Sequence, residues 1–325
     1  MTPDSQAILL LCSHLGLPPE REPAPLTLRE WNPMAQRLAA SSDTPGALLG
    51  LGAEDIRKAL DISEQDARRL ARLLDRGGAL AIELERLESL GIWAMTRADE
   101  RYPARFRERL KDSAPAVLFG SGDARLLGKR GLAVVGSRNV DEAGRQFAEF
   151  IGNACAESGL VVYSGGARGV DAMTMGAAFE AGGSVVGVLA DSLERAVRTP
   201  GARTALASGS LAMTTPYSPS AGFTVGMAMG RNKLIYALAD WALVIACDAE
   251  KGGTWSGASE ALKSRWVPVF ALDGEDVPEG NRLLINKGAQ PFPNRFPDSP
   301  STLAHWLEAN SASGDKPEAA QFTLF

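Results

Sequence analysis

Four short stretches of this 325-residue chain carry residue types that could do chemistry. Gly136-Ser137-Arg138 follows the apolar run Leu132-Ala133-Val134-Val135. Ser164-Gly165-Gly166-Ala167-Arg168-Gly169-Val170-Asp171 follows Leu160-Val161-Val162-Tyr163. Each stretch combines glycine, a hydroxyl and an arginine. Glycine lets a ligand approach the backbone, N–H groups at the start of a following helix point outward, and a guanidinium offers a fork of donors. That combination suits a bound phosphate. Two such turns on neighbouring parallel strands would form one anion-binding ledge. Gly230-Arg231-Asn232-Lys233-Leu234-Ile235 adds a polar triplet that either clamps a phosphate or base edge or is a solvated turn of helix. Lys251-Gly252-Gly253-Thr254-Trp255-Ser256 follows Ala246-Cys247-Asp248 and would aim a third helix N-terminus at the same crevice. Trp255 either stacks on a base or covers the core. Asp171 suits capping a helix or holding its loop better than acting as a base.

Such residues need strands to hold them. Strand-like runs occupy 132–135, 160–163, 184–189, 211–214, 242–246 and 267–272, with helical stretches such as 143–157 and 172–181 between them. Strands alternating with helices imply an α/β fold, a parallel sheet with helices on both faces. Ligands of such sheets bind at the carboxyl ends of the strands, near the switch in strand order. Residues 1–90 read as a small all-helical domain, SAM-like or helix-hairpin-helix-like. Ile56, Ala59, Leu60, Ala67, Leu70 and Leu74 fall near helical spacing, and Ser63-Glu64 opens a second helix. Leu49-Gly50-Leu51-Gly52 is either a hairpin able to face a DNA phosphate or a tight turn in a bundle. Residues 91–130 read as a connecting segment at the start of the α/β core, which spans 91–298. Residues 299–325 hold a short helix at 302–308, a flexible linker and a terminal peptide.

Composition removes several kinds of function. The net charge of −5 excludes a strongly basic surface, so a polyanion site must be a local patch. Cys12, Cys155 and Cys247 form no CxxC pair, which fits a reducing compartment and argues against structural zinc. His14 and His305 are the only histidines, so Ser-His or Cys-His catalysis and a histidine-rich metal site are not expected. Neither GxGxxG nor a Walker A loop is present, and no cofactor is expected. No apolar stretch reaches membrane-span length and the N-terminus lacks a basic n-region, so a cytoplasmic, membrane-independent protein is the expectation.

The order of these elements resembles the DNA-processing protein A family, also called DprA or Smf. The resemblance rests on Tyr102-Pro103, Pro115-Ala116-Val117-Leu118-Phe119, Gly136-Ser137-Arg138, residues 164–171, Gly182-Gly183-Ser184-Val185, Arg231-Asn232-Lys233-Leu234-Ile235 and Gly252-Gly253-Thr254. It covers roughly residues 91–275. It implies an extended Rossmann-like fold that binds single-stranded DNA, dimerises, and hands the DNA to the RecA recombinase in natural transformation. Carried over by motif, Gly136, Ser137 and Arg138 would hold phosphate. Ser164, Gly165, Gly166, Arg168 and Gly169 would do so from the second turn. Arg231, Asn232 and Lys233 would extend the basic pocket, joined by Gly252, Gly253 and Thr254. The chain departs from the pattern in carrying Lys233 where the family has arginine, which keeps charge and loses the bidentate fork. It also lacks room for the winged helix that ends many members.

The terminal Gln321-Phe322-Thr323-Leu324-Phe325 resembles the peptide by which many bacterial repair and replication proteins bind the polymerase sliding clamp. Gln321 would hydrogen-bond at the rim of an apolar pocket, and Leu324 and Phe325 would fill it. Two rivals stand beside a non-enzymatic DNA-binding protein. One is a nucleotide sensor or nucleotide-cleaving enzyme on a related scaffold, with Asp171, Asp248, Glu250 and Glu260 as its available carboxylates. The other is an adaptor whose main output is the clamp peptide.

Overall fold

The computed structural model describes residues 1–18, 22–294 and 302–311, so the peptide at 321–325 lies outside the described residues. The chain divides into two compact units. The first takes Met1–Tyr102 and Lys111–Phe119, and the second takes Pro103–Leu110 and the described residues from Gly120 onward.

The first unit is led by five helices: α1 (Pro3–Cys12), α2 (Leu28–Ala40), α3 (Ala53–Leu60), α4 (Glu64–Leu74) and α5 (Gly77–Ser89). Their starts follow capping chemistry. The Thr27 hydroxyl accepts from the Glu30 N–H while the Glu30 carboxylate accepts from the Thr27 N–H, and the Ser63 hydroxyl accepts from the Asp66 N–H. Ile8, Leu9, Leu10 and Leu11 are almost wholly buried, as are Ile56, Leu60, Leu70 and Leu73 on the apolar stripes of α3 and α4. Buried Arg76 donates to the carbonyls of Leu73, Leu10 and Leu15, satisfying main-chain groups that burial would otherwise strand. After α5 come β1 (Ile92–Thr96) and β2 (Val117–Gly122), neighbours in a sheet. The sequence reads this segment only as a connection. Strands this short are decided by pairing rather than by local pattern.

The second unit holds the α/β layers: α6 (Ala104–Leu110), β3 (Gly131–Val135), α7 (Glu142–Glu157), β4 (Val161–Ser164), α8 (Val170–Glu180), β5 (Val185–Val188), α9 (Leu193–Ala196), α10 (Pro200–Ala207), β6 (Leu211–Thr215), α11 (Val225–Leu238), β7 (Trp241–Val244), α12 (Gly252–Ser264), β8 (Val269–Asp273), α13 (Glu279–Asn286), β9 (Gln290–Pro293) and α14 (Thr302–Asn310). Strands β3 to β9 run in the order β6-β5-β4-β3-β7-β8-β9, each neighbour parallel. β3 is central, with Leu132 opposite Val162 on one side and Trp241 on the other. It is buried throughout, which is why it reads as an uninterrupted apolar run. Arg109 donates to the carbonyls of Ala237 (3.0 Å) and Ala239, fixing the C-terminal end of α11. The N-terminal half of α11 is left to face the ligand side of the sheet. Phe292 and Trp306, with ring centroids 4.7 Å apart, fasten α14 to β9. Among the described residues, no helix is long and apolar enough to cross a membrane.

Candidate functional site

From β3 the chain winds through β4 and β5 to β6, then returns to β7 on the other side of β3. The switch in strand order between β3 and β7 therefore opens a crevice at the strands' carboxyl ends. A cleft of about 510 Å³ lies there. It is lined by residues 135–139 after β3, by Asp248 and residues 251–254 after β7, by one face of α11, and by Ala167 and Asp171. The Ser137 N–H donates to the Ala246 carbonyl at 2.8 Å and the Thr254 hydroxyl to the Gly136 carbonyl at 3.2 Å, so the two loops are stitched together. Asn232 donates from Nδ2 to the Gly253 carbonyl at 3.0 Å, holding α11 against the start of α12. No side chain caps that start.

The cleft brings together Gly136, Ser137, Arg138, Arg231, Asn232, Gly252, Gly253 and Thr254. It leaves out Ser164, Gly165, Gly166, Arg168, Gly169 and Lys233. The two turns do follow paired strands, yet they do not make one ledge, because the second turn closes on itself. The Ser164 hydroxyl is fully buried and donates to the Val134 carbonyl at 2.7 Å, which makes it a strand tie rather than a phosphate ligand. The Gly165 and Ala167 N–H groups donate to Asp171 Oδ2 at 3.2 and 3.4 Å, so these amides are spent on the loop. Gly166 and Arg168 are exposed beside the cleft rather than in it. Lys233 is half-buried outside the lining.

Arg231 is also not the open cation its motif suggests. It is 6% exposed, its Nη1 donates to the Val188 carbonyl, and its guanidinium packs where a Cβ on Gly165 would stand. Burial pulls its pKa down, and the Asp171 carboxylate opposes that. Burial also raises Asp171 to about 6, against the opposing pull of Arg231 and the loop amides. Asp171 thus holds its loop rather than capping α8, at an electrostatic cost. Since its folded-state pKa lies above the ordinary carboxylate value, stability from this group is full below about pH 4 and lost as pH rises through about 6. Asp171→Asn should remove that slope. Between pH 4.5 and 7.5 the stability difference should move in the variant's favour by about 2 kcal/mol, read by urea unfolding. An unchanged slope would refute the buried-charge account.

Sequence reasoning did not single out Phe223, Met229, Lys251 or Tyr236, which also line the cleft. Phe223 is 51% exposed, and the Arg138 guanidinium stands 5.9 Å from its ring centroid. An apolar residue left in water just before a helix is a signal only once the fold places it at a site. Trp255 lies outside the cleft, with Lys287 5.6 Å from its ring centroid. Among the described residues, Arg138, Arg168 and Lys251 make no ion pair, and no cluster of His, Cys, Asp and Glu could hold a metal ion.

The sequence profile of the DNA recombination-mediator protein A family matches residues 93–297. The DNA processing protein DprA of Bacillus subtilis is 30% identical over 182 residues, 54% of this chain and 60% of that protein. A putative DprA of Mycobacterium tuberculosis is 30% identical over 263 residues, 76% of this chain and 65% of that protein. The chain thus spans about three-fifths of the length of these relatives. Among solved structures, DNA processing protein A of Streptococcus pneumoniae superposes with a TM-score of 0.61 at 22% identity, covering 82% of this chain and 95% of that one. The Helicobacter pylori protein gives 0.55 at 23% identity, covering 67% and 96%. Both share the fold. The family profile spans well over half of the chain, and the chain belongs to the DNA recombination-mediator protein A family.

Proposed function

We propose that the cleft binds single-stranded DNA, with Arg138 and Lys251 on its phosphates and Phe223 stacking on a base. One observation carries this reading: at the carboxyl ends of β3 and β7, Arg138 has no ion-pair partner and stands over the exposed ring of Phe223. A cation beside an accessible aromatic grips backbone and base together and is indifferent to sequence. The overall charge of −5 fits a local patch better than a wide basic surface. The Helicobacter pylori relative is described by its single-stranded DNA binding mode, which supports the same class of ligand. Arg168, exposed beside the cleft, extends the track for the strand.

In this reading the protein is not an enzyme, works in the cytoplasm as a homodimer, and delivers DNA to RecA during recombination or transformation. Gln321, Leu324 and Phe325 dock it on the polymerase sliding clamp. Gel shifts with single- and double-stranded oligonucleotides over a salt series test the core of the proposal. Single strands should bind more tightly, with log affinity falling by about 0.7 per log unit of salt for each phosphate held. No binding of single strands at low salt would overturn it.

A further inference from the structure

We propose that the cleft takes up a proton from solvent together with its anionic ligand, and that Asp171 is the group that receives it. The proposal rests on the DNA-binding reading above for the identity of the ligand. Asp171 lines the cleft and is 7% exposed. The residues just before it seat the β3 loop. The Val170 N–H donates to the Ser137 carbonyl at 3.3 Å, and a Cβ on Gly169 would stand 2.7 Å from the Arg138 Cα. Asp171 follows Gly169 by two residues, no more than about 8 Å of chain. A carboxylate and the arginine that would grip a phosphate thus border the same cavity.

The groups around Asp171 decide what a phosphate does there. On its own loop, the Gly165 and Ala167 N–H groups donate to Oδ2 at 3.2 and 3.4 Å. On β4, the Ser164 hydroxyl lies beside the carboxyl but donates to the Val134 carbonyl. From α11, the Arg231 guanidinium opposes the burial of the charge, and Tyr236 is a phenol that burial keeps neutral. The β3 loop brings Arg138, and the β7 loop brings Asp248 and Lys251 to the same cleft. Arg231 is therefore the cation facing Asp171, and one of its N–H groups is already given to the Val188 carbonyl.

A phosphodiester adds a negative charge to this cavity and does not titrate near neutral pH. Asp171 can. Two like charges in one poorly solvated site each make the other more costly, and the group able to take a proton does so. The loop amides occupy Oδ2, which leaves Oδ1 for the proton, and a neutral carboxyl still accepts both amides. Protonation therefore needs no rearrangement of the loop. Burial already raises Asp171 to about 6, so a further rise on binding carries it toward neutrality at physiological pH. The bound state then holds more protons than the free state. The gain in affinity is fullest below about pH 6 and is lost as pH rises through the higher value of the bound state.

Fluorescence anisotropy of labelled oligo-dT at fixed ionic strength tests the coupling, since thymine and phosphodiesters do not titrate between pH 5.5 and 7.5. Wild type should bind roughly fivefold more tightly at pH 5.5 than at pH 7.5, the scale of two charges about a Debye length apart in a partly buried site. Asp171→Asn is neutral throughout and can accept the same amides. It should bind equally at both pH values, near the wild-type affinity at pH 5.5. Calorimetry of the wild type at pH 6.5 in two buffers of different ionisation enthalpy should show net proton uptake, and this measurement needs no variant. Wild-type affinity that stays flat or falls toward pH 5.5 overturns the coupling and leaves DNA binding standing. A rise that persists in Asp171→Asn overturns the assignment to Asp171. If no oligonucleotide binds, the DNA reading fails, and sulfate, which does not titrate in this range either, decides the coupling. Protection by sulfate against thermal unfolding should grow from pH 7.5 to pH 5.5 in wild type and not in Asp171→Asn. The same change in both, or none in either, overturns it.

Discussion

Arg138→Ala is expected to weaken single-stranded DNA binding by about tenfold to a hundredfold, and to lower the salt slope by about 0.7, the value of one phosphate contact. Arg138 lines the cleft, makes no ion pair among the described residues, and lies over Phe223, so its loss removes a phosphate grip and uncovers a stacking ring together. It should leave the fold intact, since an exposed arginine without an ion-pair partner contributes little to stability. Arg168→Ala should cost less, because Arg168 is exposed outside the lining. Arg231→Ala would report something else. Its side chain is buried against Gly165 and faces Asp171, so removing it strands a buried carboxylate and should lower stability before it alters any ligand contact. The ranking Arg138 above Arg168, measured at several salt concentrations on folded protein, is therefore the informative result. Equal losses at both positions would place the strand across the β4 turn instead.

The fold was legible where burial writes itself into local sequence. β3 and β4 are apolar runs that lead into glycine turns, and helical stretches alternate with them, which is enough for a parallel sheet. Ser63 and its helix were legible because capping is local. The position of the crevice was not. It depends on β7 returning to the far side of β3, a choice made by the whole sheet, so the turn after β4 looked equivalent to the turn after β3. Arg231 shows the same limit in one residue. An arginine in a polar triplet reads as solvated, and only the packing of α11 on the glycine turn buries it. Phe223 carries no local signal: only the fold leaves this aromatic in water beside a cation.

Gly169→Ala is expected to cost about 3–5 kcal/mol of stability, and to disable the β3 loop in whatever fraction remains folded. Gly169 holds φ +87° and ψ −137° at the start of α8, a conformation open to glycine and strained for alanine. A Cβ there would stand 2.3 Å from the Ser137 carbonyl oxygen and 2.7 Å from the Arg138 Cα. Those are backbone atoms, so no rotamer change relieves the contact, and the Val170 N–H that reaches the Ser137 carbonyl at 3.3 Å would be pushed away with it. Gly159→Ala is the matched control. It also has positive φ (+65°), but an added methyl would meet nothing within 4 Å, so it should carry only the conformational cost of about 1 kcal/mol. Urea unfolding separates the two effects, and equal losses in the two variants would show that backbone conformation alone, not loop-on-loop packing, accounts for the glycine. A larger loss at Gly169 gives the second glycine turn its physical role. It is the surface on which Ser137 and Arg138 are set.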